Sequence, residues 1–175
     1  DRGDSSAGTN GNGIYASNQT GLLLRNLHVR NSYYGVYLSG VTNSRMETVT
    51  ISMIGRYGLY PIGGSDTNSF RYLDISGCVD HAVDMDNSSG NSFITCRISG
   101  NGGSGFYVAT NSRNNLFDEN LITGNDGNIW ITSGSSYNSA VSNRIRSNGA
   151  AVRLSGGDTN RIYRNDISSN TLFIE

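Results

Sequence analysis

The chain repeats itself. A short unit, usually a small residue followed by an apolar one, recurs at Gly13-Ile14, Gly35-Val36, Gly58-Leu59, Ala82-Val83, Gly105-Phe106, Asn128-Ile129, Ala151-Val152 and Leu172-Phe173. Successive spacings are 22, 23, 24, 23, 23, 23 and 21 residues. Ten or eleven residues after each anchor comes a second apolar set, Leu24, Met46, Phe70, Phe93, Leu116, Ala140 and Ile162. A third follows about five further on, at Val29, Ile51, Ile75, Ile98, Leu121, Ile145 and Ile167. Fixed self-similarity at this period means stacked units that each contact only their neighbours.

Composition decides which kind of stack. Ser, Gly and Asn number 25, 23 and 22, which is 70 of 175 residues or 40%. All three are poor in helix interiors, so helical solenoids, bundles and coiled coils are excluded. Disorder is excluded by ten Tyr, five Phe and a net charge of only −1. Phe93-x-x-Cys96-x-Ile98-x-x-Asn101 and Ile162-x-x-Asn165-x-Ile167-x-x-Asn170 fit a leucine-rich-repeat strand. That fold needs a helix-like return, whereas here Gly102-Gly103-Ser104-Gly105 turns into the alternating Phe106-Tyr107-Val108. The pattern therefore predicts an all-β chain: a parallel β-helix solenoid of about seven to eight rungs of 21–24 residues. A polar loop over 1–12 precedes a single domain over 13–175.

Stacked rungs predict ladders of like residues. One inward ladder would hold Ile14, Val36, Leu59, Val83, Phe106, Ile129 and Val152. Another, Leu27, Val49, Leu73, Cys96, Glu119, Asn143 and Asn165, drifts from apolar to polar, and an inward Asn stack can bond rung to rung. Glu119 there is a buried acid or a slip of register, and the slip is favoured. Cys78 and Cys96 fall at different offsets and are expected to be free thiols.

Several functions are excluded early. All 13 basic residues are Arg, and no basic stripe exists to replace counterions, so nucleic acid is not an expected partner. No apolar run approaches the 18 or so residues of a membrane span. The start, Asp1-Arg2-Gly3-Asp4, has no signal-peptide character, which reads as a mature, trimmed or cytoplasmic chain. Low charge and abundant Asn and Ser fit an extracellular or cell-surface scaffold better.

Alternation places one row outward, one residue after each anchor: Tyr15, Tyr37, Tyr60, Asp84, Tyr107, Trp130 and Arg153. A second, two before each anchor, holds Asn12, Tyr34, Tyr57, His81, Ser104, Gly127 and Ala150. Rings broken by Asp80, His81, Asp84 and Asp86 suit sugar stacking, because pyranose faces are apolar and their edges rich in hydroxyls. Outward aromatics also simply fit strands. Asp84 and Asp86 share a face at i and i+2, near Arg56 and Tyr57 of the rung before. That cluster can be a general acid/base centre, a Ca²⁺ site or solvated polar surface.

These rungs resemble the right-handed parallel β-helix proteins of the pectate-lyase-like superfamily, with carbohydrate-binding or sugar-hydrolase type repeats. Tyr57 to about Asn125 is similar to the catalytic module of mannuronan C5-epimerases, whose Tyr-Gly-Phe-Asp-Pro-His motif is matched by Tyr57-Gly58-Leu59-Tyr60-Pro61-Ile62. Tyr57, Gly58 and Pro61 agree, whereas Tyr60 and Ile62 stand where the family has its catalytic Asp and His. Asp86 occupies the place of a further active-site Asp. The resemblance implies a polyuronate ligand, Tyr57 as proton carrier and His81 as an unaligned stand-in for the imidazole. It also implies that Asp86 is protonated or cation-linked beside a substrate carboxylate. Epimerisation and elimination both begin with loss of the C5 proton, so both stay open.

Two readings follow. In the first, polysaccharide lies along Tyr34, Tyr37, Arg56, Tyr57, Tyr60, Asp84, Asp86, Tyr107, Trp130 and Arg153, with Arg56 and Arg153 available to carboxylates and a neutral glycan equally suited to the rings. In the second the chain is a structural solenoid, a filament subunit, adhesin or phage-fibre segment whose uncapped ends stack head to tail.

Overall fold

The computed structural model describes residues 11–132 and 134–174. The polar segment 1–10, with Arg2-Gly3-Asp4, lies outside them, and the first strand begins at Asn12. Every rung contributes one strand to a front sheet of eight parallel strands: Asn12–Ser17, Tyr34–Ser39, Leu59–Ile62, Val83–Asp86, Phe106–Ala109, Ile129–Thr132, Ala150–Ser155 and Leu172–Ile174. The return path forms a second sheet, also parallel. In the first two rungs it is one eight-residue strand, Leu23–Arg30 and Arg45–Ser52. Later it splits into two three-residue strands, as at Ser92–Ile94 and Arg97–Ser99. Among the described residues no helix is long and apolar enough to cross a membrane.

The bend between those two short strands, and the matching point inside the two eight-residue strands, is made by one residue per rung in the left-handed region. Asn26, Thr48, Tyr72, Thr95, Glu119, Ser142 and Arg164 all have φ between 53° and 56°. That conformation is costly for every one of them except Asn. The stacked ladders on either side compensate for it.

Inside lie the predicted apolar ladders, with Phe70, Phe93 and Phe117 stacked at centroid distances of 4.6 and 5.6 Å and Phe106 against Phe117 at 4.6 Å. Fully burying each such ring contributes about 1.5–3 kcal/mol. Four ladder positions differ from the sequence expectation. Phe117, not Leu116, pairs with Phe93, and Ile122, not Leu121, pairs with Ile98. Ile174, not Phe173, pairs with Val152. Asn120, not Glu119, joins the Cys96 ladder, while Glu119 is exposed at the left-handed bend. Leu116-Phe117 and Leu121-Ile122 each offer two adjacent apolar residues, and periodicity alone cannot choose between them.

Asparagines make the choice. Three inward rows run Asn68-Asn91-Asn115-Asn138-Asn160, Asn120-Asn143-Asn165 and Asn101-Asn125-Asn148-Asn170. In each, Oδ1 of one rung accepts the backbone N–H of the rung before, at 2.9 Å for Asn91 from Asn68, 2.9 Å for Asn143 from Asn120 and 3.1 Å for Asn125 from Asn101. The amide Nδ2 reaches back to a carbonyl of the rung before, as Asn120 does to Phe93 at 3.1 Å. Corners that would leave buried backbone groups unpaired are thus satisfied by side chains. Cys78 and Cys96 are buried free thiols in these same rows.

Candidate functional site

Front-sheet register puts Tyr15, Tyr37 and Tyr60 side by side, then Asp84, Tyr107, Trp130 and Arg153. Leu59 pairs with Val83 and Ile62 with Asp86, which sets Tyr60 beside Asp84. The second outward row interleaves with the first. Tyr34 contacts Tyr37, Tyr57 and Tyr60 at 5.5, 5.7 and 5.4 Å between centroids. His81 is sandwiched between Tyr57 at 5.6 Å and Tyr107 at 4.6 Å, nearly parallel to both. Tyr107 leans edge-on to Trp130 at 5.0 Å, and the Arg153 guanidinium lies 4.6 Å over that indole. All the sequence-predicted site residues therefore share one continuous exterior strip.

Gly58 lets this strip lie close to the core. A Cβ there would come within 2.6 Å of Ile75 Cγ2 and 2.7 Å of the Ala82 carbonyl oxygen. The Tyr57-Gly58 pair is therefore a packing requirement as well as a motif.

At the centre of the strip the acid is not on open surface. Asp84 is only 5% exposed, covered between Tyr57, Tyr60 and Tyr107. Burial pushes its pKa up to about 7; a hydrogen bond with Tyr57 and the charge of Arg56 oppose the rise, and Asp86 and Asp80 add to it. Tyr57, 8% exposed, is pushed up to about 12 by burial and Asp84, with Arg56 pulling the other way. Tyr60 and Tyr107 are also raised, first by burial and then by Asp84 and Asp86. Arg56 does not reach outward for carboxylates. Its Nη1 donates to the Tyr34 hydroxyl at 2.8 Å and its Nη2 to that of Tyr57 at 2.9 Å.

His81 has a defined proton state. The Ser104 backbone N–H donates to Nδ1 at 2.8 Å, so the ring hydrogen sits on Nε2, 3.5 Å from Asp80 Oδ1. Burial holds its pKa below the usual value, with Asp80 opposing and Arg56 adding to the fall. Such a ring donates from Nε2 and takes a second proton only by losing the Ser104 bond. Asp86 carries a buried Oδ1 with no hydrogen-bond partner. For a metal, among the described residues no group of three or more His, Cys, Asp or Glu side chains is placed to hold one.

The sequence reading named Trp130 and Arg153 past Tyr107 but missed the cleft beside them. The second row shrinks from Tyr34, Tyr57 and His81 to Ser104, Gly127 and Ala150, and a cleft of about 310 Å³ opens beside Trp130 and Arg153. Asn128 also lines it. The signal was available, because Asn128 is the polar member of a row otherwise made of Gly13, Gly35, Gly58, Ala82, Gly105 and Ala151.

A family model described as the right handed beta helix region matches residues 5–145. The chain belongs to that family. Its right-handed β-helix superimposes on the periplasmic alginate epimerase AlgG with a TM-score of 0.80 and 15% identity, covering 94% of this chain and 46% of AlgG. The A-module of Azotobacter vinelandii mannuronan C-5 epimerase AlgE6 gives 0.68 and 17%, covering 84% of this chain and 42% of the module. That of AlgE4 gives 0.57 and 15%, covering 89% and 56%. At these identities the likeness is one of fold, and this chain spans about half the length of those structures. No curated protein sequence matches it.

Proposed function

We propose that this β-helix binds a polyuronate along the ring-lined strip of its front sheet and removes the C5 proton of the residue over Asp84. The observation that carries the reading is the pair Asp84 and Tyr57, an acid titrating near 7 joined to a phenol held by Arg56. With its pKa raised toward neutrality, Asp84 in its ionised form can accept the Tyr57 proton while Tyr57 takes the one from C5. The Arg56 guanidinium steadies the phenolate, and Asp84, now neutral, no longer repels the substrate carboxylate. His81 gives a hydrogen bond from Nε2 and serves as a stacked wall. A proton delivered to the opposite face of C5 would complete an epimerisation; breaking the C4–O bond to form C4=C5, with the departing oxygen taking up a proton, would complete an elimination. The alginate epimerase neighbours favour a uronate over a neutral glycan, and such a substrate places the protein outside the cytoplasm.

Binding to mannuronan, polygalacturonate and a neutral mannan, measured for the wild type and for Tyr60→Ala, tests the reading. It expects uronan binding that weakens in the variant, and equal indifference to all three polymers contradicts it.

A further inference from the structure

The cleft beyond Tyr107 is a built feature. Its open floor exists because Gly127 and Ala150 stand where earlier rungs carry Tyr34, Tyr57 and His81. Its wall is fixed: the Trp130 indole rests on Tyr107, its Nε1 donates to Ser155 Oγ at 2.9 Å, and Arg153 covers it. At about 310 Å³ it lies at the low end of the ~300–1,000 Å³ range of small-ligand clefts.

A second observation is independent of shape. Asn128 is 3% exposed, and neither its Oδ1 nor its Nδ2 has a hydrogen-bond partner. The asparagines of the three inward rows are all bonded, whereas Asn128, outside those rows, has an orphaned amide. A buried polar group without a partner calls for an explanation, and a ligand that has yet to bind is one. An amide offers one acceptor and two donors side by side, which matches the paired hydroxyls of a sugar.

We propose that the cleft is a subsite for one further uronate residue of the polymer, packed against the side of the Trp130 indole that lines the cleft, with its carboxylate on Arg153 and its hydroxyls turned to Asn128. This rests on the polyuronate reading above and extends it two rungs, roughly 10 Å at ~4.8 Å per rung, beyond Asp84. Asp126 at the rim bears the opposite charge and keeps the carboxylate on the Arg153 side. Both Asn128 amide atoms are covered by protein, so contact with the sugar requires the cleft lining to move.

A sugar residue is about as long as a rung is thick, so a trimer centred on Asp84 ends at the Tyr107 rung and a hexamer reaches on to Trp130 and Arg153. Binding of mannuronate trimer and hexamer is measured by calorimetry in a Tyr57→Phe background, which prevents turnover. Ala150→Tyr fills the cleft with the side chain that earlier rungs carry in that row, and Trp130→Ala removes the wall. The expected result is a loss of about tenfold in hexamer affinity in each, with trimer affinity unchanged. Equal hexamer affinity in the parent and in Ala150→Tyr overturns the subsite. Failure of the parent to bind either oligomer instead overturns the polyuronate reading on which it rests.

Discussion

The backbone N–H of Ser104 donates to Nδ1 of His81 at 2.8 Å and so fixes the imidazole hydrogen on Nε2. Burial lowers the pKa of the same ring, and Tyr57 and Tyr107 enclose it on both faces. The group that changes charge near neutrality is therefore Asp84. Uronan affinity is expected to fall as pH rises through about 7, because ionised Asp84 adds negative charge to a strip that already holds Asp86 and Asp80. Asp84→Asn should flatten the profile and His81→Gln should leave it in place. A profile abolished by His81→Gln and kept by Asp84→Asn would reverse the assignment.

The same carboxyl links folding to pH. Its folded pKa is raised above the usual 3.8 to about 7, so the folded state holds a proton that the unfolded chain releases between those values. The favourable contribution is full below pH 4 and is lost as pH climbs to 7. The difference corresponds to about 4 kcal/mol at most. Asp84→Asn is expected to unfold at higher denaturant than the wild type at pH 8, with the gap closing at pH 4, as a pair of urea titrations would show.

Two asparagines should respond in opposite directions to the same substitution. Asn120→Ala leaves the Cys96 N–H and the Phe93 carbonyl without partners in the core, at a cost of about 2–4 kcal/mol. Asn128→Ala removes an amide that has none and restores the small side chain of the neighbouring rungs, so its melting temperature should rise. Thermal melts of both variants check this. The rise at Asn128 should be accompanied by weaker hexamer binding, a trade of stability for function.

Calcium is expected to leave uronan binding unchanged. Asp84 is accommodated by protonation, and no third acidic or imidazole ligand joins it and Asp86 among the described residues. Titration after EDTA treatment, with and without added calcium, gives the comparison. A tenfold gain on adding calcium would mean that the two carboxylates share an ion rather than a proton.

The rungs, the outward ring row and the Asp84–Asp86 pair were legible in the sequence because each repeats or alternates at a fixed period. Register at Leu116-Phe117 and Glu119-Asn120 was not, because adjacent residues compete for one inward place and the deciding bonds come from rungs 23 residues away. The left-handed bend was hidden for a related reason. Thr48, Tyr72, Thr95 and Arg164 carry no preference for that conformation, and stacking imposes it. Covering of Asp84 was likewise invisible, since alternation says which face a side chain takes and not what neighbouring rings then close over it.

The most direct measurement is incubation of mannuronan with the wild type and with Tyr57→Phe in deuterium oxide, followed by NMR of the polymer and ultraviolet detection of unsaturated ends. Deuterium at C5 or new unsaturated ends with the wild type, and neither with Tyr57→Phe, is the predicted result. A polymer that binds the strip yet emerges without either change would contradict proton abstraction at Tyr57 and Asp84.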